Sequence, residues 1–213
     1  MARNVEAYSA LRDLPAHFLA GFCLGCAERG SGIFVTLADP EDAEWFSQVL
    51  EVAWKAPLGE VDEDELIEIL EDFETRTESM DVDDPGSRGF SVVQSAMLAV
   101  NAIAVHLNPS PARAEMSGQT LETVMGSFDF KLGGSEVVIT RAGEDEGLGR
   151  LQRMEQDAQN AFVESVRALT GDQAEPRLGR DFLESLRQSC APVRDEFKAA
   201  TSSVAELAGW DQE

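Results

Sequence analysis

Apolar residues return every three or four positions along almost the whole chain, which is the spacing of helices that bury one face. Leu11, Leu14, Phe18, Phe22 and Cys26 make the first stripe, and the glycines Gly30 and Gly32 are expected to end that helix. Asp39-Pro40-Glu41 places a capping residue before a proline in the first turn, and Trp45, Phe46, Val49, Leu50 and Ala53 follow on one face until Pro57 and Gly59. A third helix opens at Asp62 and turns Leu66, Ile69, Leu70 and Phe73 inward. Its opposite face is almost entirely acidic.

The fourth stripe, Phe90, Val93, Met97, Val100, Ala104 and Leu107, is flanked by Val92, Ala96, Ala99 and Ile103, so apolar residues run most of the way round the helix. Such a helix belongs at the centre of its bundle. Asn108-Pro109-Ser110-Pro111 stops it. Thr120 to Phe130 reads as a shorter amphipathic segment, and Val137-Val138-Ile139 as either a short strand or a helix turn. Leu148, Leu151, Met154, Ala158, Phe162, Val166 and Leu169 predict a long helix. Phe182, Leu186, Cys190, Val193 and Phe197 predict a last one, with Pro192 as a point where it can kink. The pattern predicts an all-α fold: a multi-helix bundle of about seven to eight helices around the apolar helix 90–107, in one domain spanning 1–213, with 176–213 as a peripheral C-terminal helical segment.

Charge narrows the function classes. The 213 residues carry 17 Lys plus Arg against 40 Asp plus Glu, a net charge of −23. A surface that tracks phosphates needs a basic stripe, so neither nucleic acid nor an anionic membrane is an expected partner. The segment Phe90 to Leu107 contains Gln94, Asn101 and His106 and reads as a buried helix rather than a membrane span. Met1 to Asp13 mixes Arg3, Glu6, Arg12 and Asp13 with no apolar core, so no signal peptide is expected. Three cysteines are too few for a disulfide scaffold and suit a reducing, cytoplasmic setting.

Motifs for enzyme chemistry are missing: no nucleophile elbow, phosphate loop, His-Glu-x-x-His or dinucleotide fingerprint occurs. A non-enzymatic protein without a cofactor is the expectation. Cys23-x-x-Cys26 is one close pair where a structural zinc site wants two, and both thiols fall on an apolar helix face, so they read as core packing. Asp81-Val82-Asp83-Asp84-Pro85-Gly86 begins like a calcium loop, but Pro85 holds the fifth position and Val92 the twelfth, where a bidentate Glu is needed; a turn before the next helix fits better.

Three pieces, Phe22-Cys23-Leu24-Gly25-Cys26-Ala27-Glu28-Arg29, then Phe46-x-x-Val49-Leu50-Glu51-Val52-Ala53-Trp54, then Leu70-Glu71-Asp72-Phe73-Glu74, stand in order along the chain. Together they resemble a bacterial family of all-helical domains, the domain of unknown function 416, over roughly residues 15–130. It implies a helical fold and no particular activity.

The anomaly that remains is local. Residues 41–84 hold 17 Asp plus Glu against Lys55 and Arg76, a net of −15, which leaves −8 on the rest of the chain. The helix dipole accounts for acids in the first turn but not for Glu71 to Glu78 near the negative end. A solvated face and a surface for a basic partner both explain the run. The leading expectation is a cytoplasmic, protein-binding protein whose partner-binding residues are Glu60, Asp62, Asp64, Glu65, Glu68, Glu71, Asp72, Glu74, Glu78, Asp81, Asp83 and Asp84. Its most concrete form is an immunity-type inhibitor of a basic toxin such as a nuclease. The alternative is a helical small-ligand or metal-binding protein, with His17, Cys23, Cys26 and His106 as candidate ligands. Oligomeric state stays open.

Overall fold

A computed structural model describes residues 3–77, 84, 86–133, 148–172 and 177–210. Among these are eight α-helices and no strand. They are α1 (Val5–Leu11), α2 (Ala16–Leu37), α3 (Pro40–Lys55), α4 (Glu63–Thr77), α5 (Arg88–Leu107), α6 (Pro111–Leu132), α7 (Arg150–Asp172) and α8 (Arg180–Ala208), with a single 3₁₀ turn at Ala56–Leu58. The all-α bundle expected from the periodicity is the observed fold. Val137-Val138-Ile139 lies outside the described residues.

Short polar side chains set several helix starts. The side chains of Asn4, Ser87 and Ser110 accept the backbone N–H of Ala7, Phe90 and Arg113, at the starts of α1, α5 and α6. Pro40 and Pro111 occupy first-turn positions, where no donor is lost. The first turn of α7 is capped from another helix: Asp129 on α6 accepts the N–H of Leu151 at 3.0 Å and of Gln152 at 2.9 Å. Gly209, at φ 74°, ends α8 in the left-handed conformation that favours glycine.

The axis of the bundle is a pair of helices. Beside α5 lies α2, and α2 is the more enclosed: Phe18 through Phe34 are buried without a break. By length and hydropathy either helix suffices to cross a membrane; inside the bundle 94% of α2's apolar window is buried and 56% of α5's. α2 packs against α5 on one side and α8 on another, and α3, α6 and α7 also reach it. The 176–213 segment, expected at the periphery, supplies Leu183, Cys190, Phe197, Val204 and Trp210 to the same core as α2.

The expected break at Gly30 and Gly32 does not occur, because tertiary packing needs small residues there. A Cβ on Gly30 would lie 2.4 Å from Leu98 Cδ1 of α5, and one on Gly32 would lie 2.6 Å from the backbone oxygen of Arg194 on α8. Each glycine costs the helix about 1 kcal/mol relative to alanine. The close approach of two neighbours offsets that cost.

α2 also carries two adjacent charges into the core. Arg29 donates to Glu155 of α7 through Nε at 2.7 Å and through Nη2 at 2.6 Å, a two-pronged pair with both side chains almost wholly out of water. Glu28 accepts from Trp54 Nε1 of α3 at 2.8 Å, and from Arg187 Nε at 3.2 Å and Arg194 Nη1 at 2.9 Å, both on α8. The network extends to α1 and α6. Gln159 donates to Glu155 at 3.0 Å and accepts from Asn4, while Tyr8 and Gln156 both donate to Glu122. Burial holds the Glu122 carboxyl above its usual pKa range.

Replacing Gly32 by alanine tests the close approach. Gly32→Ala should lower stability by about 1–3 kcal/mol despite its better helix propensity, since the obstacle is backbone and cannot rotate away. A urea denaturation midpoint equal to or above that of the parent would show that α8 does not need the glycine.

Candidate functional site

α4 forms as an amphipathic helix. Leu66 and Phe73 are buried, Ile69 and Leu70 half-buried, and Phe73 stacks on Trp45 of α3 at 6.3 Å between ring centres. Arg76 fastens the end of the helix. It donates to Asp72 at 2.8 Å and to Asp42 of α3 at 3.2 Å, and its guanidinium lies 4.9 Å from the centre of the Trp45 ring.

The twelve expected partner-binding residues divide into three groups. Glu78, Asp81 and Asp83 lie outside the described residues. Glu60, Asp62, Asp72 and Asp84 have partners within the chain: Glu60 pairs with Arg180, Asp62 accepts the N–H of Glu65 at 2.9 Å, Asp72 pairs with Arg76, and Asp84 accepts the N–H of Gly86 at 2.8 Å. Asp62 therefore caps α4, and Asp84 shapes the turn that leads to the Ser87 cap of α5. Asp64, Glu65, Glu68, Glu71 and Glu74 are exposed, and no ion pair ties them to a cation among the described residues. The exposed Ile67 stands on the same helix three residues from Asp64 and four from Glu71, an apolar point among unpaired carboxylates.

The alternative ligand set does not converge. Among the described residues no group of three or more His, Cys, Asp or Glu is placed to hold a metal ion. His17 is exposed, with its ring 4.4 Å from that of Phe18. His106 is half-buried at the end of α5, where it lines a shallow surface pocket with Pro57, Glu63 and Leu66, and burial lowers its pKa. Cys23 and Cys26 are fully enclosed on α2. Burial pushes the Cys23 thiol up to about 12 and holds Cys26 well above its usual value, so neither is a thiolate at neutral pH.

Sequence reasoning missed the polar core around Glu28 and Arg29. The available signal was two adjacent charges inside an apolar stretch of 22 residues, where charged side chains persist only if paired. It also missed an open groove of about 720 Å³ between α7 and α8, because a gap between two amphipathic helices leaves no mark on either one's periodicity.

Comparison with protein-family models, with curated proteins and with solved structures finds no match.

The exposed acids on the last turns of α4 face the negative end of its dipole and repel their neighbours. The double variant Glu71→Gln, Glu74→Gln should therefore gain about 0.5–1 kcal/mol at low salt, and the gain should shrink in concentrated salt. Urea midpoints at two ionic strengths read this. A loss of stability would show that these carboxylates hold α4 by contact.

Proposed function

We propose that the chain is a non-enzymatic protein that binds a basic protein through the exposed face of α4. The observation that carries this reading is the row Asp64, Glu65, Glu68, Glu71 and Glu74, exposed and without a pairing cation among the described residues, beside the exposed Ile67. Acids that serve the fold have visible partners: Asp72 has Arg76, Glu51 has Arg187, and Glu28 has Trp54 and two arginines. The α4 row lacks them and bears the cost of self-repulsion. A basic partner relieves that repulsion, is steered by it at a distance, and finds in Ile67 an apolar contact that sets register.

An immunity-type inhibitor is the most concrete form of this function. A row of carboxylates on a rigid helix matches a basic cleft that otherwise receives phosphates, as in a nuclease toxin, and blocks it without any chemistry of its own. The setting that suits three reduced cysteines and such a role is the cytoplasm.

Affinity purification of the full chain from the cell that makes it, followed by a salt titration of whatever co-purifies, tests the proposal. The expected partner is basic, its affinity falls about tenfold or more between low and high salt, and Glu68→Lys with Glu71→Lys abolishes most of the binding. A partner whose binding ignores both salt and charge reversal would overturn it.

A further inference from the structure

The groove between α7 and α8 stands apart from the acidic face and depends on none of its residues. The two helices run antiparallel: Arg150 at the start of α7 reaches Glu196 of α8 at 2.8 Å, and Phe162 meets Phe182 edge-on at 6.3 Å. Along this pair the helices part over α2 and leave an open groove of about 720 Å³, within the range of about 300–1,000 Å³ common to small-molecule sites. The walls are apolar, with Met154 and Val193 towards one end and Leu169 and Phe182 towards the other. Phe162 is held in turn by Phe22 of α2, 5.6 Å away between ring centres.

Arg29 lies in the floor of this groove with its side chain 3% exposed. Nε and Nη2 are engaged by Glu155, whereas Nη1 donates to a sulfur, Cys190 Sγ at 3.6 Å. A thiol is a weak acceptor, and burial keeps Cys190 protonated. A buried guanidinium thus lines the groove, and the partner of its Nη1 is a weak sulfur acceptor rather than an oxygen. Ser165, Ser185 and Ser189 stand on the rim, and the hydrogen bonds of Arg29 go to Glu155, Cys26 and Cys190 rather than to any of them.

We propose that this groove binds an uncharged, mainly apolar small molecule bearing one hydrogen-bond acceptor, a carbonyl for instance, which Arg29 Nη1 holds at the floor. The charge balance selects an uncharged ligand. Glu155 already matches the Arg29 charge, so a carboxylate there would set two anions against one cation away from water, and Asp157 on the rim adds to the repulsion. A neutral carbonyl accepts from Nη1 more strongly than the sulfur does, without that cost.

The fluorescent apolar amine N-phenyl-1-naphthylamine, titrated into the full chain, reports occupancy. Saturable binding is expected, together with its loss in Ala161→Trp, which fills the groove from an exposed position on α7; Ser189→Trp does the same from α8 should the first variant not fold. Octan-2-one should displace the probe at a concentration about tenfold below that needed for octanoate. Cys190→Ser offers Nη1 an oxygen from within the protein, and should weaken the ketone about fivefold or more relative to the probe's own dissociation constant measured in the same variant. Absence of saturable binding, undiminished binding in both tryptophan variants, octanoate matching or exceeding the ketone, or a ketone indifferent to Cys190→Ser would each overturn the proposal.

Discussion

Arg29 and Glu155 meet through two short charge-assisted hydrogen bonds almost wholly out of water, and each would be prohibitively costly to bury alone. This pair constrains everything around it. It fixes α7 on α2 in one rotational setting, since a guanidinium fork meets a carboxylate in only a narrow range of orientations. Glu28, the preceding residue on α2, points to another side of the helix and there gathers Trp54 of α3 with Arg187 and Arg194 of α8. Two consecutive residues therefore fasten three other helices to the central one. Apolar burial supplies the bulk of the driving force but is indifferent to small rotations; the polar contacts choose among them.

Much of this architecture was legible in the sequence. The stripe from Phe90 to Leu107 with its stop at Asn108-Pro109, the Asp39-Pro40 helix start and the run from Leu151 to Leu169 all fall where the helices are. The glycines Gly30 and Gly32 misled, because glycine breaks a helix only when nothing compensates for its lost propensity. Here the compensation is the approach of Leu98 and of the Arg194 backbone, neither of which is local in sequence. The polar core is hidden for the same reason. Glu155 sits on α7 among Arg153, Gln156 and Asp157 and looks like part of an ordinary solvated face until α2 is laid against it.

The acidic run was visible as composition, but its internal division was not. Charge counting treats Asp62, Asp72 and Asp84 as equal to Glu68 and Glu71, whereas three-dimensional contacts give the first group work in a helix cap, an ion pair and a turn. What remains for the proposed partner is a shorter row on one face of α4 around Ile67. The same molecule thus carries charge in two opposite settings: paired and dry at Arg29 and Glu155, where it specifies packing, and exposed and unpaired on α4, the face proposed for a partner.

The role assigned to the buried pair is tested most directly by urea unfolding of Glu155→Gln beside the double variant Arg29→Met, Glu155→Met. Removing one charge strands the other, so the single variant should lose about 3–5 kcal/mol, and replacing both by apolar side chains should restore at least half of that loss. A single variant within about 0.5 kcal/mol of the parent, or a double variant no more stable than the single one, would contradict the account.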